Sequence, residues 1–157
     1  MNLLKPLAAA LAALVVTAAQ ADLTIGVSLP LTGPASGLGI PVNNGFKLWP
    51  QAIAGEKVTL IVLDDATDPT NGVKNARRFV TDDKVDLIIG SAATPVAIAM
   101  SEVAAESGTV QLAMSPIPLP PGKDAWSFRM AHSAAVMAHA MVEHMKKGNV
   151  RTVGFLG

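Results

Sequence analysis

The 157-residue chain contains no cysteine. That excludes a disulfide framework, thiolate chemistry, a Cys-based zinc site and a lipid-modified Cys at a processed N-terminus. It also has no excess of charge: 12 Lys and Arg balance 12 Asp and Glu. Such a balance lacks the basic footprint that nucleic acid or a polyanionic surface requires. Histidine is scarce, with only His132, His139 and His144. His139 and His144 fall on separate faces of a helix, HExxH is absent, and no converging metal ligands are expected. Gly33, Gly37 and Gly39 do not make GxGxxG, so the dinucleotide fingerprint is missing, as are Walker A and GxSxG. Ser91 and Ser115 have no evident base to activate them. Asp64, Asp65 and Asp68 could do acid–base work, but acids between a strand and a helix read better as turn and cap residues. Neither catalysis nor a cofactor is expected.

Long apolar runs are absent except near the start. Met1 to Lys5 is short and basic, residues 7–16 are apolar and uncharged, and Ala19-Gln20-Ala21 is a small-x-small pattern before Asp22. This is a secretory signal peptide with cleavage expected after Ala21. Its apolar core is shorter than the roughly 20 residues of a membrane span. The mature chain is therefore expected outside the cytoplasm, in the periplasm of a Gram-negative host.

What the sequence does have is alternation. Apolar β-branched runs predict strands over 23–29, 58–63, 85–89 and 110–114, with a short extended piece over 126–130 and a last strand over 150–156. Helices are expected over 41–49, ended by Pro50, over 69–81, over 95–107 with Gly108 as stop, and over 133–147 with Gly148 as stop. Asp68 should cap the second helix, with Pro69 at its first position, and Thr94 and Pro95 should do the same for the third. Val73, Ala76, Arg77 and Val80 fall on one side of the second helix. Met130, Met137, Met141 and Met145 recur at helical spacing and read as core packing. Strand–helix–strand repetition predicts an α/β fold: a doubly wound, mostly parallel sheet with helices on both faces.

Three loops then meet at the carboxyl ends of the strands: residues 30–39, 90–94 and 114–118. Ligands bind at that edge of open α/β sheets. The loops are small and carry no catalytic groups, so they suit binding better than reaction. Ser91 and Thr94 offer hydroxyls, and the first amides of the third helix favour an anion such as a carboxylate. An ordinary capped helix with no ligand fits these residues equally well.

Three segments, LTIGVSLPLTGPASGLGIPVNNGFKL, VLDDATDPTNGVKNARRFVTDDKVDLIIG and KDAWSFRM with the following helix and VRTVGFLG, resemble the extracellular solute receptors of branched-chain amino acid type ABC importers. These have the type I periplasmic binding fold. The resemblance implies two α/β lobes with ligand in the cleft between them, and a permease at the inner membrane as partner. Residues 22–130 would be the N-terminal lobe, and 131–157 a helix and the start of the second. It implies a small-molecule solute, an amino acid or another carboxylate, held by Ser91, Ala92, Ala93 and Thr94 and by Ala113 and Ser115, with Leu38 facing its side chain. The sensory domain of a receptor with the same fold is the alternative. The family pattern also makes the chain an expected N-terminal piece of a longer protein.

Overall fold

The computed structural model describes residues 22–119 and 125–154. The expected signal peptide and the final residues of the expected last strand lie outside the described residues. Along the chain run β1 (Leu23–Leu29), α1 (Ser36–Phe46), β2 (Ala52–Ile53), β3 (Glu56–Asp64) and α2 (Pro69–Thr81). They are followed by β4 (Leu87–Gly90), α3 (Thr94–Ser107), β5 (Val110–Ala113), β6 (Ser127–Arg129) and α4 (Ala134–Lys147). The strands form one six-stranded sheet in the order β2-β3-β1-β4-β5-β6. All pairs are parallel except β2 with β3. That hairpin, which the sequence reading did not anticipate, closes through Ala54 and Gly55 at φ 53° and 89°. Two positive φ values are what a two-residue type I′ turn demands.

The chain leaves β1 towards β3 on one side and returns past it to β4 on the other. The strand order therefore reverses between β1 and β4, and their carboxyl ends border the crevice where such sheets hold ligands. Each direction places its helices on a different face. On one, Phe46 of α1 packs with Ile25, Val27, Leu29 and Ile89. On the other, Ala76 and Phe79 of α2 and Val96, Met100 and Val103 of α3 pack with Ile88. Alternation along β1 explains the split: Ile25, Val27 and Leu29 point to α1, and Gly26 lies under the Phe79 ring. A Cβ at Gly26 would stand 2.5–2.7 Å from that ring.

Several expectations need correction. α1 begins at Ser36, before Pro41, which lies inside it. The proline forfeits one bond, to the carbonyl of Gly37, and Gly37 is exposed, so water can serve that carbonyl. On α2 the buried residues are Gly72, Ala76 and Phe79, with Val73 and Val80 beside them; Arg77 turns outward to Glu106 at 3.0 Å. The extended piece before α4 is a true strand, β6, because β5 offers a free edge to pair with. The methionine stripe is not core. No residue of α4 is buried, and Met137 and Met141 are 42% and 62% exposed. Periodicity marks an apolar face, but among the described residues no element covers it. Residues 150–154 likewise form no strand, since extended backbone needs a neighbouring strand to take up its hydrogen bonds.

Candidate functional site

The turn after β1 is held by Asp64, the last residue of β3. Its carboxylate accepts from the amides of Leu31 (2.9 Å) and Thr32 (3.2 Å), the Thr32 hydroxyl (2.6 Å) and the Ala66 amide (2.8 Å). Burial pushes this carboxyl up, but the Thr32 hydroxyl and the three amides outweigh it and hold it below its ordinary value of 3.8. A depressed folded pKa contributes stability that is present above 3.8 and lost as pH falls through the lower folded value. The thermal midpoint of Asp64→Asn should thus lie below that of the unsubstituted chain near neutral pH. The gap should shrink as pH drops through that window in parallel melting curves; a gap independent of pH would remove Asp64 as the clamp.

Asp65 behaves oppositely. It is fully buried and accepts from the Thr67 amide at 3.0 Å and the Ser28 hydroxyl at 3.3 Å. Desolvation dominates these bonds, so its carboxyl is pushed above the ordinary value. Asn75 of α2 completes the cluster by donating to the Ser28 hydroxyl at 3.1 Å and the Asp64 carbonyl at 3.0 Å. Both acids are structural at this edge, as the sequence pattern indicated.

The start of α3 differs from expectation. Ala93, not Thr94, is the N-cap residue, at φ −91° and ψ 120°; Thr94 and Pro95 are the first two helical residues. Ser91 sits two residues before the cap, where its oxygen accepts from the Ala93 amide at 3.1 Å. Ser91 is fully buried. Pro95 has no N–H, so Thr94 and Val96 carry the first-turn amides that lack an intrahelical acceptor. The Thr94 hydroxyl, released from capping, is half-buried. Ala92 is half-buried beside it, and Ala93 is buried.

The loop after β5 folds onto this helix start, where Ala97 packs against Ala113 and Ile117. Ala113 itself is inside the sheet, with its carbonyl accepting the Met130 amide at 2.9 Å. Ser115 is 2% exposed, and its hydroxyl oxygen has no hydrogen-bond partner among the described residues. Buried polar atoms are nearly always satisfied, so such an oxygen calls for a missing partner. Leu38 stands on the first turns of α1, 57% exposed; α1 abuts the β1 turn so closely that a Cβ at Gly39 would meet the Pro30 carbonyl. Sequence reasoning missed Gln111. Its buried amide donates to the carbonyls of Gly90 (2.9 Å) and Ala97 (3.1 Å) and accepts from Ser127 (2.9 Å), tying β4, α3 and β6 together. A glutamine within an apolar strand was the available signal. Among the described residues no group of acids and histidines could hold a metal.

Residues 22–157 match the family model described as periplasmic binding protein. The chain belongs to that family. It is 34% identical over 151 residues to a Leu/Ile/Val-binding protein homolog from Brucella melitensis, a match covering 87% of this chain and 40% of that protein. An extracellular ligand-binding receptor from Rhodopseudomonas palustris superposes with TM-score 0.82 at 44% identity, over 85% of this chain and 37% of that one. A leucine-binding protein from Thermotoga maritima does so with TM-score 0.74 at 27% identity, over 81% and 37%. The type I periplasmic binding fold is thereby shown for the periplasmic binding protein chain, which spans about two-fifths of the relatives' length.

Proposed function

We propose that residues 22–130 form the N-terminal lobe of an exported solute-binding receptor that serves an ABC importer. In this reading they hold the carboxylate of an amino acid or similar organic acid at the start of α3. The observation that carries the reading is the buried Ser115 hydroxyl, unpartnered among the described residues. It belongs to the loop that folds onto a helix N-terminus whose half-buried Thr94 carries an amide without an intrahelical acceptor, while Val96 is buried in the core. A carboxylate there would take charge-assisted hydrogen bonds from the Thr94 amide and from the Ser115 and Thr94 hydroxyls, and would complement the helix dipole. In this reading the small Ala92 and Ala93 flank the carboxylate, and Leu38 is assigned to the solute's side chain. Ser91 supports the site from behind, and Ala113 positions the loop that carries Ser115. The names of the relatives favour a branched-chain amino acid as the first solute to test.

Residues 131–157 then belong to the second lobe. That α4 buries none of its residues in the first lobe supports this assignment, as does its apolar side of Met137, Met141 and Met145, with Val153 from the segment after it alongside. Closure of two lobes over the solute would present the receptor to a permease at the inner membrane, coupling binding to docking. Export through residues 1–21 would place it in the periplasm.

Titration of acetate and L-leucine into 15N-labelled chain from Asp22 onward, followed by amide NMR, tests the site. The Thr94 amide should move saturably, and Ser115→Ala should weaken the interaction about tenfold, the worth of one charge-assisted bond. A Thr94 amide that ignores both probes would remove the carboxylate site.

A further inference from the structure

The side chain of Gln111 is completely buried within the apolar strand β5. Its register neighbours are Ile88 of β4 and Ser127 of β6, and Ile88 belongs to the core beneath α2 and α3. Gln111 therefore stands on the α3 side of the sheet. There its Nε2 group donates to the Gly90 carbonyl at 2.9 Å and the Ala97 carbonyl at 3.1 Å, while its Oε1 accepts from the Ser127 hydroxyl at 2.9 Å. The two carbonyls can only accept, so they fix which end of the amide faces them and leave the oxygen to the serine. Both amide protons and the oxygen are thus used. An apolar residue would fill the same space without the cost of desolvating an amide. What the glutamine adds is its connections.

Gly90 ends β4 at φ +126°, one residue past the last β4–β5 pair, Ile89 with Leu112. Ala97 lies in the first turn of α3. The two carbonyls therefore bracket the segment that carries Ser91, the Ala93 cap and Thr94. One amide group holds both ends of that segment, and it does so from the strand that continues through Ala113 into the loop bearing Ser115. We infer that Gln111 is a positioning residue of the carboxylate site, a role that stands on the site reading above: it clamps the β4 exit to the first turn of α3 and so fixes Thr94 relative to Ser115. Gln111 itself would not touch the solute. Without its amide, the buried Gly90 carbonyl and Ser127 hydroxyl each lose their partner. The turn can recover one only by moving, and Thr94 moves with it. Donors fixed in place before a ligand arrives are what let so small an anion bind, because no ordering cost is left to meet on binding.

Gln111→Met keeps the length of the side chain and removes both donations. In 15N-labelled chain from Asp22 onward, well below the melting temperature, it should displace the Ser91 and Thr94 amide resonances and weaken acetate binding at Thr94 about tenfold. Val103→Ala is the control. It opens a cavity further along the same helix, among buried neighbours. It should lower the melting temperature and leave acetate binding within about twofold, as a distant and independent site does. A Gln111→Met chain that melts lower yet binds acetate like the unsubstituted chain marks a purely structural glutamine and overturns the positioning role. Equal weakening by both variants overturns it too, since that is general loosening. Should Gln111→Met not fold, Ser127→Ala decides. It removes the bond that anchors the Gln111 oxygen and should weaken acetate about threefold; unchanged binding overturns the role. Acetate that leaves Thr94 unmoved in the unsubstituted chain defeats the site reading and the positioning role together. Acetate that binds the unsubstituted chain and the Gln111 variant alike defeats the positioning role alone.

Discussion

Replacing Phe79 with alanine should cost the fold about 3–5 kcal/mol, the range for deleting a fully buried aromatic side chain. The ring is completely buried and lies on Gly26 of the central strand β1, among Ala76, Val96, Met100 and Ile88. The cavity would open between the sheet and two helices. The surrounding strand backbones, hydrogen-bonded on both sides, cannot collapse into it. Urea denaturation of the chain from Asp22 onward measures the loss through the midpoint at constant slope. A loss below about 1 kcal/mol would mean that the neighbours repack, contrary to this account. The glycine gives a reciprocal check. Gly26→Ala forces a methyl into the ring and should itself destabilise by about 1–3 kcal/mol. In a Phe79→Leu background the penalty should shrink, giving a coupling energy in a double-mutant cycle.

Gly90→Ala is expected to be comparably severe, about 3–5 kcal/mol when the backbone and steric costs are combined. Gly90 has φ +126°, a region that side chains rarely adopt, and its Cβ would be driven into the Ser28 carbonyl oxygen. Neither partner can yield. Ser28 belongs to the β1 ladder beside it, and the Gly90 carbonyl is pinned by Gln111 at 2.9 Å. Because Gly90 leads directly into Ser91, any relief would displace the turn that sets up α3. Loss of stability and displacement of the Ser91 to Thr94 amides should therefore appear together in denaturation and NMR. A variant with the unsubstituted midpoint would show that the glycine is a convenience rather than a requirement.

Much of this architecture was legible because its signals are local. Asp68 caps α2 through the amides of Thr70 and Asn71. Gly108 closes α3 in the left-handed conformation at φ +67°. Ser133 caps α4 through Val136. In each case donor and acceptor lie within a few residues, so the pattern carries the geometry. The errors arose where a choice depended on residues far away in sequence. Ser91 and Thr94 both offer a hydroxyl near the start of α3, and in the fold it is the buried Ser91 that accepts the Ala93 amide. The extended piece expected over 126–130 became the strand Ser127–Arg129 because β5 stood ready with an open edge. The Met137 and Met141 stripe has the same period whether it faces a core or nothing, and only its neighbours tell the two apart.

The class of the fold, the run of strands and helices, and the convergence of three small-residue loops at one sheet edge follow from local signals, because hydrophobic period and capping chemistry act over a turn or two of chain. Tertiary structure alone decided which hydroxyls are spent and which are free. Ser91 accepts from Ala93, the Ala113 carbonyl accepts from Met130, and Ser115 is left buried without a partner among the described residues. Each of those outcomes turns on hydrogen bonds between strand ends brought together by parallel pairing, and parallel neighbours are separated by a whole crossover of chain.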